Sequence, residues 1–520
     1  MSDESVGKSG GRMDRREFLR RAGAIGGGLA AMSVLAACGG RGAPASTGGG
    51  AAATPGSGGG AAATPSGGGA AAGATPAAAG GAATPKVQKP PQGTGGGQPL
   101  VFRGWNYHPE VVEDNVKKFN AMYEENVDYQ TVSGDYGSLM EKMHLNKEPL
   151  NFAYSNPQTA HRWYKAGWVW DLEGYWNVDQ VKKDLYPAWK DIVSTKDGKL
   201  LGLPYFQSVR GTICTNEELL QKVGITPKQY PKTWDELYDQ LYQIKKSGAT
   251  DVPFLPHWFA TAWFGLAWGF QFECMNRGAV LFDDNGHPVF DQKCYDILDQ
   301  YKKLLADGIV PKEVFTMQET DFIDGFASGR YAYSPQQIYD SKVFNDPTRS
   351  KLAKGGSNPN AKGSMYVPVD KQPWGLIDTG IYLSIKRPGE DEKTLARSYR
   401  LQEFFGYKDK DGNLYVSKRW AIEQALNSGY PATLEDPDVK AAYQKWMPDY
   451  DFMFPTMQGL LANAKSPAVW RRYFYEEWNS KALTELSQAI LGQKGTKEAL
   501  DGLKQLATQL LDKYQKVDPD

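Results

Sequence analysis

From residue 99 onward the apolar positions keep two rhythms in turn. Residues 99–105 (Pro-Leu-Val-Phe-Arg-Gly-Trp), 128–133 and 150–155 are short apolar-rich runs of strand length. Between the first two, Val112, Val116, Phe119 and Tyr123 recur at helical spacing over residues 111–124, and residues 136–146 form a second helix. Further on, Thr212-Ile213-Cys214 reads as a strand. Asn216, followed by Glu217 and Glu218, opens a short helix that Gly224 ends at its C′ position. Thr233 caps the next helix, with Glu236 three residues on as its capping-box partner. A helix over 297–307 stops at Gly308. Strands alternating with helices predict an α/β fold.

The pattern fails upstream. Between residue 39 and about residue 98 the chain is almost entirely Gly, Ala, Ser, Thr and Pro, with Ala-Thr-Pro recurring at 53–55, 63–65, 74–76 and 83–85. Such a segment has no large apolar side chains with which to offset its ordering entropy, so residues 38–98 are expected to be a disordered linker. About 60 residues of Gly-rich coil reach roughly 45 Å. Ahead of the linker, Arg12, Arg15, Arg16, Arg20 and Arg21 precede a mildly apolar segment, 22–37. The core Asp14-Arg15-Arg16-Glu17-Phe18-Leu19 resembles a twin-arginine export signal, and Leu35-Ala36-Ala37-Cys38-Gly39 resembles a lipobox. Residues 1–37 would then be a cleaved leader, and Cys38 would carry the lipid that anchors the mature chain outside the cytoplasm.

Composition narrows the function classes. The formal net charge is −1, without the basic stripe of a nucleic-acid binder, and no apolar run approaches the roughly 20 residues of a membrane helix. Three cysteines remain after processing, Cys214, Cys274 and Cys294. They read as buried core residues, with a Cys274–Cys294 bridge open in an oxidising compartment. Catalytic signatures are scarce. Gly-x-Ser-x-Gly occurs only at residues 7–11, inside the leader, and the five histidines show no HExxH or zinc-type pairing. Residues 409–413 (Asp-Lys-Asp-Gly-Asn) read as a turn, because the glycine and the twelfth position do not fit a calcium loop. No enzyme, metal or cofactor is expected.

Six motifs in order carry a resemblance. Pro204-Tyr205 leads into the 212–214 strand, followed by Asn216-Glu217-Glu218-Leu219, Gly224 and Pro231-Lys232-Thr233-Trp234-Asp235-Glu236-Leu237. Then come Phe322-Ile323-Asp324-Gly325 ahead of Tyr331-Ala332, Gly380-Ile381-Tyr382-Leu383-Ser384-Ile385-Lys386, the helix at 395–405, Gly429-Tyr430-Pro431-Ala432, and Gly492 through Leu500. Together they resemble the family 1 extracellular solute-binding proteins, the maltose-binding-protein-like receptors of ABC importers, over about residues 99–516. The chain departs from that pattern at Asn151 and in a longer middle, roughly 250–375, which leaves the ligand's identity open.

The resemblance implies a two-lobed periplasmic-binding-protein-like (type II) α/β fold with hinge crossovers and a central ligand cleft. Residues 99–207 and 377–432 would form the first lobe, and 208–376 and 433–520 the second. It implies a monomeric receptor that binds a small solute, most simply a mono- or oligosaccharide, and delivers it to the transmembrane subunits of a permease. A surface polysaccharide-degrading enzyme and a sensing or adhesion protein are the alternatives. All 15 tryptophans lie between Trp105 and Trp478. Flat aromatics suit the C–H faces of a sugar ring, and polar side chains suit its hydroxyl rim. Alignment by motif places ligand contacts at Trp105 and Tyr107 after the first strand and at Ser155 after the third. Trp258, Tyr339 and Trp470 would be stacking surfaces, and Tyr154, Ser208, Trp374 and Asp378 would lie near the crossings. Trp263 and Trp268 read instead as core.

Overall fold

In a computed structural model of the chain, the structure describes residues 84–91, 97–133, 136–260, 265–353, 366–367 and 375–519. Arg15 and Arg16 of the export signal, Cys38, most of the linker, Trp263 and Trp374 lie outside the described residues.

Eight strands order the described chain: β1 (Leu100–Trp105), β2 (Val127–Val132), β3 (Phe152–Ser155), β4 (Leu203–Arg210), β5 (Thr212–Thr215), β6 (Tyr333–Gln336), β7 (Tyr366–Val367) and β8 (Leu376–Ser384). They form a five-stranded sheet, β2-β1-β3-β8-β4, and a three-stranded sheet, β6-β5-β7. The pairs β1–β2 and β1–β3 are parallel, as expected where a helix links consecutive strands; β8 runs antiparallel to both β3 and β4. The predicted strands and helices of residues 99–155 are present within a residue or two, and the chain has the expected α/β architecture.

Every residue of β4 and β8 is buried, which near-continuous apolar runs such as Leu203-Pro204-Tyr205-Phe206 and Ile381-Tyr382-Leu383 foreshadow. The helix Glu392–Gly406 covers them and sets Phe404 and Phe405 against Phe119, Phe102 and Phe152. Pro204 is tolerated because β4 is an edge strand, and the ladder slips between Pro204 and Phe206. The predicted caps form. Asn216 accepts from the Leu219 N–H at 3.4 Å, and Thr233 from the Glu236 N–H at 3.2 Å. The Glu236 carboxylate bonds the Lys232 N–H rather than closing the capping box on Thr233. Cys214, Cys274 and Cys294 are all buried thiols, and none is in a disulfide.

Two boundaries differ from expectation. The linker does not run free to residue 98. Val87 is buried and donates its N–H to the Gly174 carbonyl at 3.1 Å, Lys89 pairs with Glu403 at 3.3 Å, and Arg400 donates to the carbonyls of Pro90 and Pro91. Val87 and the prolines stand out from the Gly/Ala repeat and give this stretch something to bury. The first passage between sheets comes at Gly211, three residues later than Ser208. Gly211 has φ +86°, and a Cβ there would lie 2.1 Å from the Phe272 ring. Only glycine serves a chain that leaves one sheet at Arg210 and enters the next at Thr212.

Gly211→Ala combines a left-handed backbone with an overlap against Phe272, and is expected to cost about 3 kcal/mol. Denaturant unfolding of the mature chain checks this; an unchanged midpoint would contradict it.

Candidate functional site

Among apolar strands, the polar residues of β4 and β8 are out of place. Asp378 stands opposite Ser208 in the antiparallel register, so both side chains share a face, and Arg210, two residues beyond Ser208, shares it too. The Arg210 Nε donates to Asp378 at 3.0 Å, with both side chains almost fully buried. Arg210 also reaches Glu319, whose carboxylate lies 3.4 Å from its Nη2, and stands 3.3 Å from the His257 ring. Glu319 opens the helix Glu319–Ala327, where a carboxylate favours the N-terminal dipole. Gln337, just past β6, donates its amide to Glu319 at 3.1 Å, and its N–H lies 3.3 Å from Asp340. The carboxyls of one sheet's strand and of the other sheet's helix therefore meet at one guanidinium, beside Gly211.

Burial governs the titration of this group. Asp340 is pushed up to about 8, first by burial, then by the negative Glu319, against the pull of Arg210. Asp378 is raised by burial although Arg210 opposes it. His257 is driven well below its usual range by burial and by Arg210, and stays neutral. Tyr339 is held protonated by burial and by Glu319. Tyr107 is held protonated by burial, then by Asp340 and Glu319, which places its ring within the field of the same carboxyls.

Tyr107 links that group to an aromatic wall at the C-terminal ends of β1 and β3. Its ring stacks near Trp420, with centroids 5.9 Å apart. Trp420 meets Tyr205 edge-on at 5.4 Å, and Tyr205 lies 5.6 Å from Trp105. Trp105 stacks flat on Tyr154, 4.6 Å away at 8°. On the other side Tyr339 meets Phe206 edge-on at 6.2 Å. Ligands of open α/β sheets bind outside such strand ends.

Of the residues the sequence singled out, Ser208 and Asp378 share the junction's face with Arg210, Tyr339 directly precedes Asp340 and packs on Phe206, and Tyr107 lies against Trp420 and feels the charge of Asp340 and Glu319, with Trp105 and Tyr154 in the wall behind. Ser155 instead donates to the Asn156 carbonyl at 3.0 Å. Trp258 packs on Tyr301 at 4.6 Å and Phe315 at 6.0 Å, and lines a small cavity of about 20 Å³ that also touches Arg210, His257 and Trp268. That volume holds a single water, not a sugar. Trp470 lies against Trp268 at 4.3 Å. Trp268 is buried, as its core reading implied. The junction and its wall also hold Arg210, His257, Glu319, Gln337, Asp340, Tyr205 and Trp420, which the sequence reading did not place among the ligand contacts. The available signal was charge inside an apolar strand, as at Arg210.

Two wider grooves lie elsewhere. One, of about 930 Å³, is lined by Lys118, Tyr415 and Arg419, and the other, of about 600 Å³, by Lys165, Lys199 and Arg471. Their arginines are already paired, Arg419 with Asp114 and Arg471 with Asp191, each at 2.6 Å. Residues 409–413 form a turn in which the Asp409 carboxylate accepts from the N–H groups of Asp411 and Asn413. Among the described residues no His, Cys, Asp or Glu cluster could hold a metal ion, and no helix is long and apolar enough to cross a membrane.

Residues 105–373 match the bacterial extracellular solute-binding protein family. This chain belongs to that family. Its members bind solutes and are not enzymes. The chain is 23% identical over 437 residues to the sn-glycerol-3-phosphate-binding periplasmic protein UgpB of Escherichia coli O1:K1 / APEC, across 78% of this chain and 90% of that protein. Among solved structures, maltose-bound MalE3 of T. maritima superposes with a TM-score of 0.64 at 17% identity, over 79% of this chain and 99% of that one. A solute-binding protein of Agrobacterium vitis S4 with bound D-mannitol superposes at 0.60 and 17%, over 82% and 100%. At such identities the superpositions show the fold, the periplasmic-binding-protein α/β fold.

The raised Asp340 carboxyl makes stability depend on pH. Folded, it binds a proton up to about pH 8; unfolded, it has lost that proton above about pH 4. Its contribution to stability is therefore full at low pH and declines as pH rises from about 4 to about 8, by at most about 1.4 kcal/mol per unit. His257 works the other way, losing its unfolded-state proton by about pH 7. Comparing wild type with Asp340→Asn cancels that term. The wild-type stability is expected to fall relative to the variant between pH 5 and 8 in urea titrations; parallel profiles would contradict the assignment.

Proposed function

We propose that this solute-binding protein is the receptor of an ABC importer and that its solute is a carbohydrate or polyol, held at the junction of the two sheets. The observation that carries this is the meeting of Arg210 and Asp378, from one sheet, with Glu319, Gln337 and Asp340, from elements beside the other, next to the aromatic ring of Tyr107. Rings for C–H faces and polar groups for hydroxyls are the complement a sugar needs, and unpaired polar groups on either partner penalise a poor match. The relatives support the class. UgpB is named for sn-glycerol 3-phosphate, MalE3 carries maltose, and the A. vitis protein carries D-mannitol.

In this reading two lobes meet at the crossover through Gly211 and close on the solute. Closure is favoured only by contacts that both lobes make in the closed state, which is why the residues come from both sheets. The closed form is what the permease subunits read. Arg15 and Arg16 direct twin-arginine export, and a lipid on Cys38 anchors the chain, with the linker as its tether. A monomer suffices.

A thermal-shift panel of sugars and polyols on the mature chain tests the binding claim. At a hundredfold excess over Kd the correct solute stabilises by about 2.7 kcal/mol. Tyr107→Ala and Tyr339→Ala are each expected to abolish that shift; retention in both would remove the junction from the binding site. Cys38→Ala is expected to move the protein from the membrane fraction to the soluble one, and an unmoved protein would refute the lipid anchor.

A further inference from the structure

The buried groups at the sheet junction share a chemical bias. Among the described residues two carboxyls, Asp378 and Glu319, hold one guanidinium, Arg210; Gln337 joins Glu319 to a third carboxyl, Asp340, and His257 is neutral beside Arg210. Arg210 is already engaged by Asp378 and Glu319. At the Gln336–Gln337 corner of the cluster the unmet hydrogen-bond capacity is on the acceptor side, whereas the Trp420 Nε1 in the wall is an unmet donor. The Gln337 amide donates its N–H to Glu319, which fixes its head in the cluster, yet its Oε1 is buried without a donor. The Oε1 of Gln336, the next residue toward β6, is likewise buried without a donor. Ser208 Oγ, on the face of Arg210 and Asp378, has no partner and can act in either sense.

An ammonium group offers three donors and no acceptor, whereas a phosphate offers acceptors only. A phosphate brought here would face carboxylates and amide oxygens, and among the described residues the junction's guanidinium is already paired. An ammonium would add a positive charge beside the carboxyls of the described residues, and buried carboxylates gain most from a partner that is both charged and hydrogen-bonding.

We infer that the solute is a cationic carbohydrate, an amino sugar or amino polyol, whose ammonium group lies among Asp340, Glu319 and the Gln337 Oε1 while its ring packs toward Tyr107. This rests on the carbohydrate reading above and sets this chain apart from its relative named for sn-glycerol 3-phosphate. Binding carries a second signature. Burial first, then Glu319 and Asp378, raise Asp340 against Arg210 and the Gln337 N–H, so that Asp340 holds a proton near neutral pH. An ammonium beside it displaces that proton into the buffer, so complex formation at pH 7 releases up to one proton.

The test is calorimetric titration of the mature chain with D-glucosamine, D-glucose and N-acetyl-D-glucosamine, each also as a β-1,4-linked disaccharide, and with sn-glycerol 3-phosphate. Each titration is run in two buffers of different ionisation enthalpy. The amine forms are expected to bind at least about tenfold more tightly than their hydroxyl and acetamide counterparts. They alone should release a proton, and Asp340→Asn should bring the ratio to within about threefold. If that variant does not fold, Glu319→Gln and the proton count in wild type read the same contact. Neutral sugars binding as tightly as the amines, or sn-glycerol 3-phosphate binding at all, would overturn the inference while leaving the receptor reading intact. If these probes and the sugar and polyol panel all fail to bind, the carbohydrate reading falls, and this inference with it.

Discussion

A single guanidinium sits where the chain changes sheets. Arg210 is the last residue of β4, is almost fully buried, and takes Asp378 from the neighbouring strand and Glu319 from a helix beside the other sheet. Burying charges is costly unless they are paired and hydrogen-bonded, and losing one partner leaves the others uncompensated. The structure meets that constraint through geometry set by Gly211. Its left-handed backbone, pressed against Phe272, lets β4 end and β5 begin with one residue between them. A side chain at 211 would push the two sheets apart at the point where their carboxyls must share one cation.

Around that point the packing divides the labour. The wall of Trp105, Tyr154, Tyr205 and Trp420 is rigid because each ring rests on the next, and it offers Tyr107 a fixed backing. Trp258 and Trp268 line a small cavity that touches Arg210 and His257, and so back the junction. On the proposed reading, a solute between wall and carboxyls gains contacts from both sheets at once, and that is what converts binding into closure.

The fold was legible because its signals are local. Helical spacing at Val112, Val116, Phe119 and Tyr123, the caps Asn216 and Thr233, and Gly224 with φ +74° all appear where the pattern put them. The docking of residues 84–91 was not legible, since it depends on Arg400 and Gly174, hundreds and dozens of residues away in sequence. The site was half legible. Aromatic residues advertise themselves, but whether a tryptophan faces a solute or another ring is a tertiary fact. Trp105 and Tyr154 cover each other, and Trp258 is covered by Tyr301. The charged residues carried a quieter sign, an arginine and an aspartate inside mostly apolar strands. Only the register, Ser208 opposite Asp378, brings that pair together.

On the proposed reading, solute binds at the Arg210 junction rather than in either surface groove. A crystal structure of the mature chain with the tightest solute from calorimetry tests it most directly. The account predicts solute atoms within hydrogen-bond distance of the Gln337 Oε1 and the Asp340 carboxyl, with a ring face toward Tyr107. Solute lodged beside Arg419 or Arg471, with the junction unchanged, would contradict it.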